Sequence, residues 1–176
     1  MGVQAQEWAA HFPNSTFLGM DIDQEALDRG TAQAKKRGLT NLTFVNQDGC
    51  NIPDAWENRF DFVTVYDVVH DVPQPKQLLK GIYRSLKPGG AFLMVEIKMN
   101  TALEKNGDQP MAPTLFGFSL FHCMPVSYYF ENGEGLGTCW GVQKQREYLE
   151  EAGFIDVRLI PSTETIQAYN ICKKPE

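Results

Sequence analysis

Thr16-Phe17-Leu18-Gly19-Met20-Asp21 is a short apolar run that ends in an acid. It reads as a buried parallel strand, because a strand covered on both faces needs no polar alternation. Asp23 then offers a good N-cap. Ala26, Leu27, Gly30 and Ala34 share one small apolar face, and Gly38 closes that helix. Before the run, residues 3–12 read as another helix with Ala5, Trp8, Ala9 and Phe12 as its apolar face.

The alternation continues outward. Residues 42–45 form a second strand that ends at Asn46-Gln47-Asp48-Gly49, and residues 60–66 a third, the most hydrophobic. A helix over 75–86 takes Pro75 into its first turn and sets Leu78, Leu79, Ile82 and Leu86 in one stripe. Lys87-Pro88-Gly89-Gly90 stops it and turns the chain into a buried strand over 91–97. Residues 100–113 are polar and loop-like, 115–130 are rich in aromatics and broken by Pro125, and 132–141 are glycine-rich. A helix over 143–152 ends at Gly153. Two last strands, 156–160 and 165–172, flank Pro161-Ser162-Thr163-Glu164, a connection short enough for an antiparallel pair.

Strands alternating with helices predict an α/β fold. The sheet is doubly wound, mostly parallel and Rossmann-like, with a C-terminal antiparallel strand pair. One partial domain spans 1–176, with an inserted aromatic-rich acceptor or lid segment over 99–141.

In folds of this type an acid at the end of the second strand binds ribose hydroxyls, about 20 residues after a glycine-rich turn. Asp21 suits that role, and a strand-end cap is its plainer alternative. Counting back reaches Gly2, with no strand and no GxGxG before it. Gly2 therefore reads as the last glycine of a loop whose other members are absent from the sequence.

The chain resembles the class I S-adenosylmethionine-dependent methyltransferases from Gly2 to its C-terminus. Phe17-Leu18-Gly19-Met20-Asp21-Ile22-Asp23 is similar to that family's second strand and ribose-binding acid. Phe44-Val45-Asn46-Gln47-Asp48-Gly49-Cys50-Asn51-Ile52-Pro53 is similar to the motif that meets adenine. The resemblance implies that Asp48 bonds the exocyclic amine and the next backbone N–H a ring nitrogen. Phe60-Asp61-Phe62-Val63-Thr64-Val65-Tyr66-Asp67-Val68-Val69-His70 resembles the fourth strand and the loop beside the methionine moiety, and Leu86-Lys87-Pro88-Gly89-Gly90 is a frequent signature. The implied cofactor is S-adenosyl-L-methionine. Its implied contacts are Gly2, Asp21, Ile22, Asp48, Gly49, Cys50, Tyr66 and Asp67, where Asp67 meets the amino group or caps its strand. Phe121 to Val126 and Gly135 to Gly141 are similar to small-molecule methyltransferases that carry a winged-helix-like domain ahead of the catalytic one.

The family's first motif and its central strand are missing from this sequence. The chain is therefore expected to be a fragment or an alternative product, with weakened cofactor binding, unpaired strand edges and poor stability.

Methyl transfer mainly needs positioning, with a base where the acceptor is a hydroxyl or amine. His70 is the first base candidate, with Asp71 orienting it, and a purely loop-shaping His70 is the alternative. His122 is the second, among Phe116, Phe118, Phe121, Tyr128 and Tyr129. These aromatics either line an acceptor pocket or pack a helix on the sheet edge.

The formal net charge of −6 argues against nucleic acid as the main partner. The expected partner is a small-molecule methyl acceptor, with a homodimer or pairing with a full-length copy as a further reading. No apolar run suggests a membrane span. Cys50, Cys123, Cys139 and Cys172 show no CxxC spacing, so the expectation is reduced thiols, no metal site and a cytoplasmic setting. An NAD-dependent oxidoreductase fragment and a non-catalytic interaction module are the rival readings, the first disfavoured by the terminal strand pair.

Overall fold

The computed structural model describes residues 2–163 and 166–176. Glu164 and Thr165, expected in the last connection and strand, lie outside the described residues. The chain divides into two compact units, one up to Asn51 and one from Ile52 onward.

The first unit holds α1 (Val3–His11), β1 (Phe17–Asp21), α2 (Gln24–Lys36) and β2 (Leu42–Asn46). β1 and β2 pair in parallel, with Gly19 opposite Phe44 and Asp21 opposite Asn46. Asp23 caps α2 as expected, accepting from the Glu25 and Ala26 N–H groups. Leu27, Gly30 and Ala34 form its buried face. On α1, Ala9 is buried and Ala5 and Trp8 are half-buried as expected, whereas Phe12 is 57% exposed and Gln6 is buried in addition. Gly2, Gln6 and Ala9 lie at helical spacing, and the Phe44 ring fills the space beside Gly2, so this stripe turns inward.

The second unit holds β3 (Phe60–Tyr66), α3 (Pro75–Ser85), β4 (Leu86–Ile97), α4 (Ala112–Phe118), α5 (Met124–Tyr129), α6 (Val142–Glu151), β5 (Ile155–Ile160) and β6 (Gln167–Lys173). Its sheet runs β3-β4-β6-β5. β3 and β4 are parallel, while β6 is antiparallel to both β4 and β5. Among the described residues no strand pairs with the outer edge of β3. Leu78, Leu79, Ile82 and Leu86 are buried, as their spacing predicts.

Two local expectations change. Lys87 to Gly90 does not separate helix from strand. It loops out inside β4, since the register steps from Phe60↔Leu86 to Phe62↔Ala91. Gly89 takes φ +73° there and donates its N–H to the Lys174 carbonyl. Pro125 does not break the aromatic segment either. A π-turn, Ser119–Cys123, joins α4 to α5. Widening the helix by one residue relieves the clash between a proline ring and the carbonyl one turn back.

Candidate functional site

In the first unit the two acids stand at the carboxyl ends of neighbouring parallel strands, where α/β sheets bind ligands. Asp21 is exposed, and its Oδ1 accepts the Asp23 N–H at 3.0 Å. Its Oδ2 takes no hydrogen bond among the described residues. Asp48 caps the 3-10 turn Gly49–Asn51: Oδ1 accepts the Cys50 N–H at 2.8 Å and Oδ2 accepts from the Asn51 amide. Ile22 is 64% exposed, and its carbonyl accepts from the Asn46 side chain at 3.1 Å. Cys50 is buried.

Gly2 adopts φ +60° as the residue capping α1. A Cβ on it would lie 2.4 Å from the Phe44 ring, and one on Gly19 would lie 2.6 Å away. Close helix-to-strand packing is the role of the final glycine in a nucleotide-binding turn. The exposed acids and this glycine contact fit the adenosine end of the cofactor.

In the second unit the chemistry gathers around Glu96, near the carboxyl end of β4. Glu96 is fully buried. Its Oε1 accepts the Val69 N–H at 3.0 Å, and its Oε2 accepts from His70 Nδ1 at 2.5 Å and from Trp140 Nε1 at 3.2 Å. A buried carboxylate is tolerable only with such partners. His70 is 3% exposed, and its Nε2 lies 3.2 Å from Asp71 Oδ1, at ion-pair distance. Burial pushes the His70 imidazole down, but the Glu96 hydrogen bond and charge, with Asp71 and Asp67, push it up further, so the net direction is upward.

Tyr66 is half-buried and Asp67 exposed at the end of β3. Asp67 sits in the left-handed region, φ +50°, with its N–H donated to the Val95 carbonyl at 2.9 Å. Partial desolvation first, then the Glu96 charge, raises its carboxyl above the ordinary range. Asp71 is half-buried. Cys123, at the end of the π-turn, is buried, and its thiol is pushed up to about 11 by burial and then by Asp71.

His70 and Asp71 are thus brought together, and His122 is placed elsewhere. His122 is exposed on the π-turn and lines an open pocket with Thr114, Gly117, Phe118 and Phe121. The sequence reading missed Glu96, Trp140 and Cys123. One signal was available for Glu96: it is the single ionisable residue in Phe92-Leu93-Met94-Val95-Glu96-Ile97.

A family model described as a methyltransferase domain matches residues 1–92, just over half of the 176. Demethylmenaquinone methyltransferase of Anoxybacillus flavithermus is 27% identical, over 93% of this chain and 70% of its own. The enzyme of the same name from Geobacillus kaustophilus is 28% identical, over 90% and 68%. Among solved structures, a putative O-methyltransferase from Nostoc punctiforme superposes with TM-score 0.76 at 20% identity, over 98% of this chain and 49% of that one. A Haemonchus contortus phosphoethanolamine N-methyltransferase, solved with S-adenosylhomocysteine, gives 0.71 at 16%, over 99% and 47%. The chain therefore spans about half the length of these solved structures. With its motif order, its parallel strands and its terminal antiparallel pair, the chain belongs to the methyltransferase domain family, the class I S-adenosylmethionine-dependent methyltransferases.

Proposed function

We propose that this domain transfers a methyl group from S-adenosylmethionine to a small, ring-bearing acceptor. The carrying observation is the pair of acids, Asp21 and Asp48, at the carboxyl ends of two parallel strands. When bound, the cofactor supplies an electrophilic methyl on a sulfonium. Asp21 holds the ribose hydroxyls with a carboxylate, which accepts hydrogen bonds from both. The Asp48 turn, with the Gly49 and Cys50 backbone, meets the adenine. Asp67, exposed at the end of β3, is the candidate partner for an ammonium.

The proton-handling roles divide between the histidines. Both ring nitrogens of His70 face carboxylates and the ring is buried, so it serves as a positioning residue. His122 is exposed beside Thr114, Phe118 and Phe121, and is the imidazole with room to take an acceptor proton. The apolar lining supports a ring-bearing acceptor, as do relatives whose name specifies demethylmenaquinone. Four buried thiols without a disulfide support a reducing, cytoplasmic setting. No helix among the described residues is long and apolar enough to cross a membrane. The antiparallel β5–β6 pair favours this reading over an oxidoreductase.

Calorimetric titration of the purified chain with S-adenosylmethionine tests the assignment. The expected binding is saturable and lost in Asp21→Ala. Absence of saturable heat at millimolar ligand overturns the adenosine site. With labelled cofactor and ring-bearing acceptors, His122→Gln is expected to lower kcat roughly 10²- to 10⁴-fold with little change in KM.

A further inference from the structure

We infer that His70, Asp71 and Cys123 form a binding site for one divalent ion of the zinc class. One ligand atom from each lies within 4.8 Å of the other two. One edge, 3.2 Å between His70 Nε2 and Asp71 Oδ1, is close to what metal bonds of about 2.0–2.3 Å in tetrahedral array give.

The donor set selects the metal. Nitrogen, oxygen and sulfur together suit zinc or cobalt, whereas magnesium and calcium take oxygen alone. The surroundings are already those of a metal-bound imidazole. Ligating histidines almost always donate the second ring N–H to a carboxylate or carbonyl, which fixes the ring and raises its basicity. Glu96 takes the His70 Nδ1–H in that way and is itself held by Val69 and Trp140. That leaves Nε2 for the ion.

Asp71 Oδ1 is buried, with His70 Nε2 3.2 Å away and the Cys123 thiol beside its carboxylate. The three side chains converge as the ligands of one ion do. Binding displaces the Cys123 thiol proton and any proton on Nε2 to solvent. The alternative trio of Asp67, His70 and Glu96 also lies close together, but three donors already occupy the Glu96 oxygens.

The ion would tie the turn after β3 to the end of the π-turn, two segments 52 positions apart by residue number, 71 to 123. This inference does not depend on methyl transfer.

Titration of the chelator-treated full chain with Co²⁺ alone, followed by absorption, tests it. The expected result is one equivalent bound, with a thiolate-to-cobalt charge-transfer band in the near ultraviolet that Zn²⁺ bleaches. Cys123→Ser should abolish the band, and Cys139→Ser, a buried cysteine outside the trio, should keep it. Glu96→Gln should weaken Zn²⁺ binding roughly 10- to 100-fold. A wild-type chain with no band overturns the proposal, whatever the folding of the variants. So does a band that survives Cys123→Ser.

Discussion

In β1 and β2 no residue is fully buried, while β4 buries Phe92, Met94, Val95 and Glu96 in succession or near it. Both regions begin as parallel pairs of apolar strands. Parallel pairing is stable where both faces and both edges are covered. In the second unit β6 joins β4 in antiparallel register, and α3 and α6 pack on the sheet. In the first unit α1 and α2 pack on a sheet of only two strands. Strands with similar sequence patterns thus acquire different environments from the number of neighbours. A buried charge such as Glu96 is found only where those neighbours also bring donors.

The largest effect should come from that charge. Glu96→Ala is expected to destabilise the second unit by about 3–5 kcal/mol, because it strips the counter-charge from buried His70 and the acceptor from Trp140. Urea unfolding followed by circular dichroism measures it, and a loss under about 1 kcal/mol would show that water replaces Glu96. Next comes a matched pair of core deletions. Phe92→Ala should cost about 3–5 kcal/mol, since Phe92 stacks on Phe154 at 5.3 Å inside full burial. Leu27→Ala should fall near about 2 kcal/mol, because a more open unit collapses more readily around the cavity. Equal losses in separate melting transitions would break the contrast.

Smaller effects probe the first unit from the packing side. Gly19→Ala drives a methyl into the Phe44 ring, and about 1–3 kcal/mol of destabilisation is expected by thermal melting. Stability unchanged there would mean that Phe44 swings freely. Asp23→Ala removes a cap that serves two N–H groups and should cost about 1 kcal/mol, read as lost helicity by circular dichroism.

The elements were largely legible in the sequence because each carries its own periodicity and punctuation. Asp23 before α2, Pro75 at the start of α3 and Gly153 after α6 mark boundaries by local stereochemistry. The inward place of Gln6 on α1 was not legible because its side chain is polar, and the Phe44 ring beside Gly2 marks the side that turns in. Pro125 was read as a break because the π-turn that accommodates it has no sequence signature. For the candidate site, Asp21 and Asp48 were readable from strand ends. The Glu96–His70–Trp140 constellation was not, since strand register and a glycine-rich loop bring together residues 70, 96 and 140. Cys123 beside Asp71 is of the same kind: a meeting made by tertiary structure.

The π-turn Ser119–Cys123 carries one consequence for how this segment tolerates change in length. One residue of α-helix corresponds to about 100° of rotation. Deleting a residue there would not shorten α5 so much as re-aim it. Ser127, whose hydroxyl now donates to the Val72 carbonyl and accepts the Gly135 N–H, would point to another quarter of the compass. Insertions and deletions at this position therefore act as a dial on which side chains of the aromatic segment face inward. Related chains that differ by one residue here should differ in what they present, even where every flanking residue is the same.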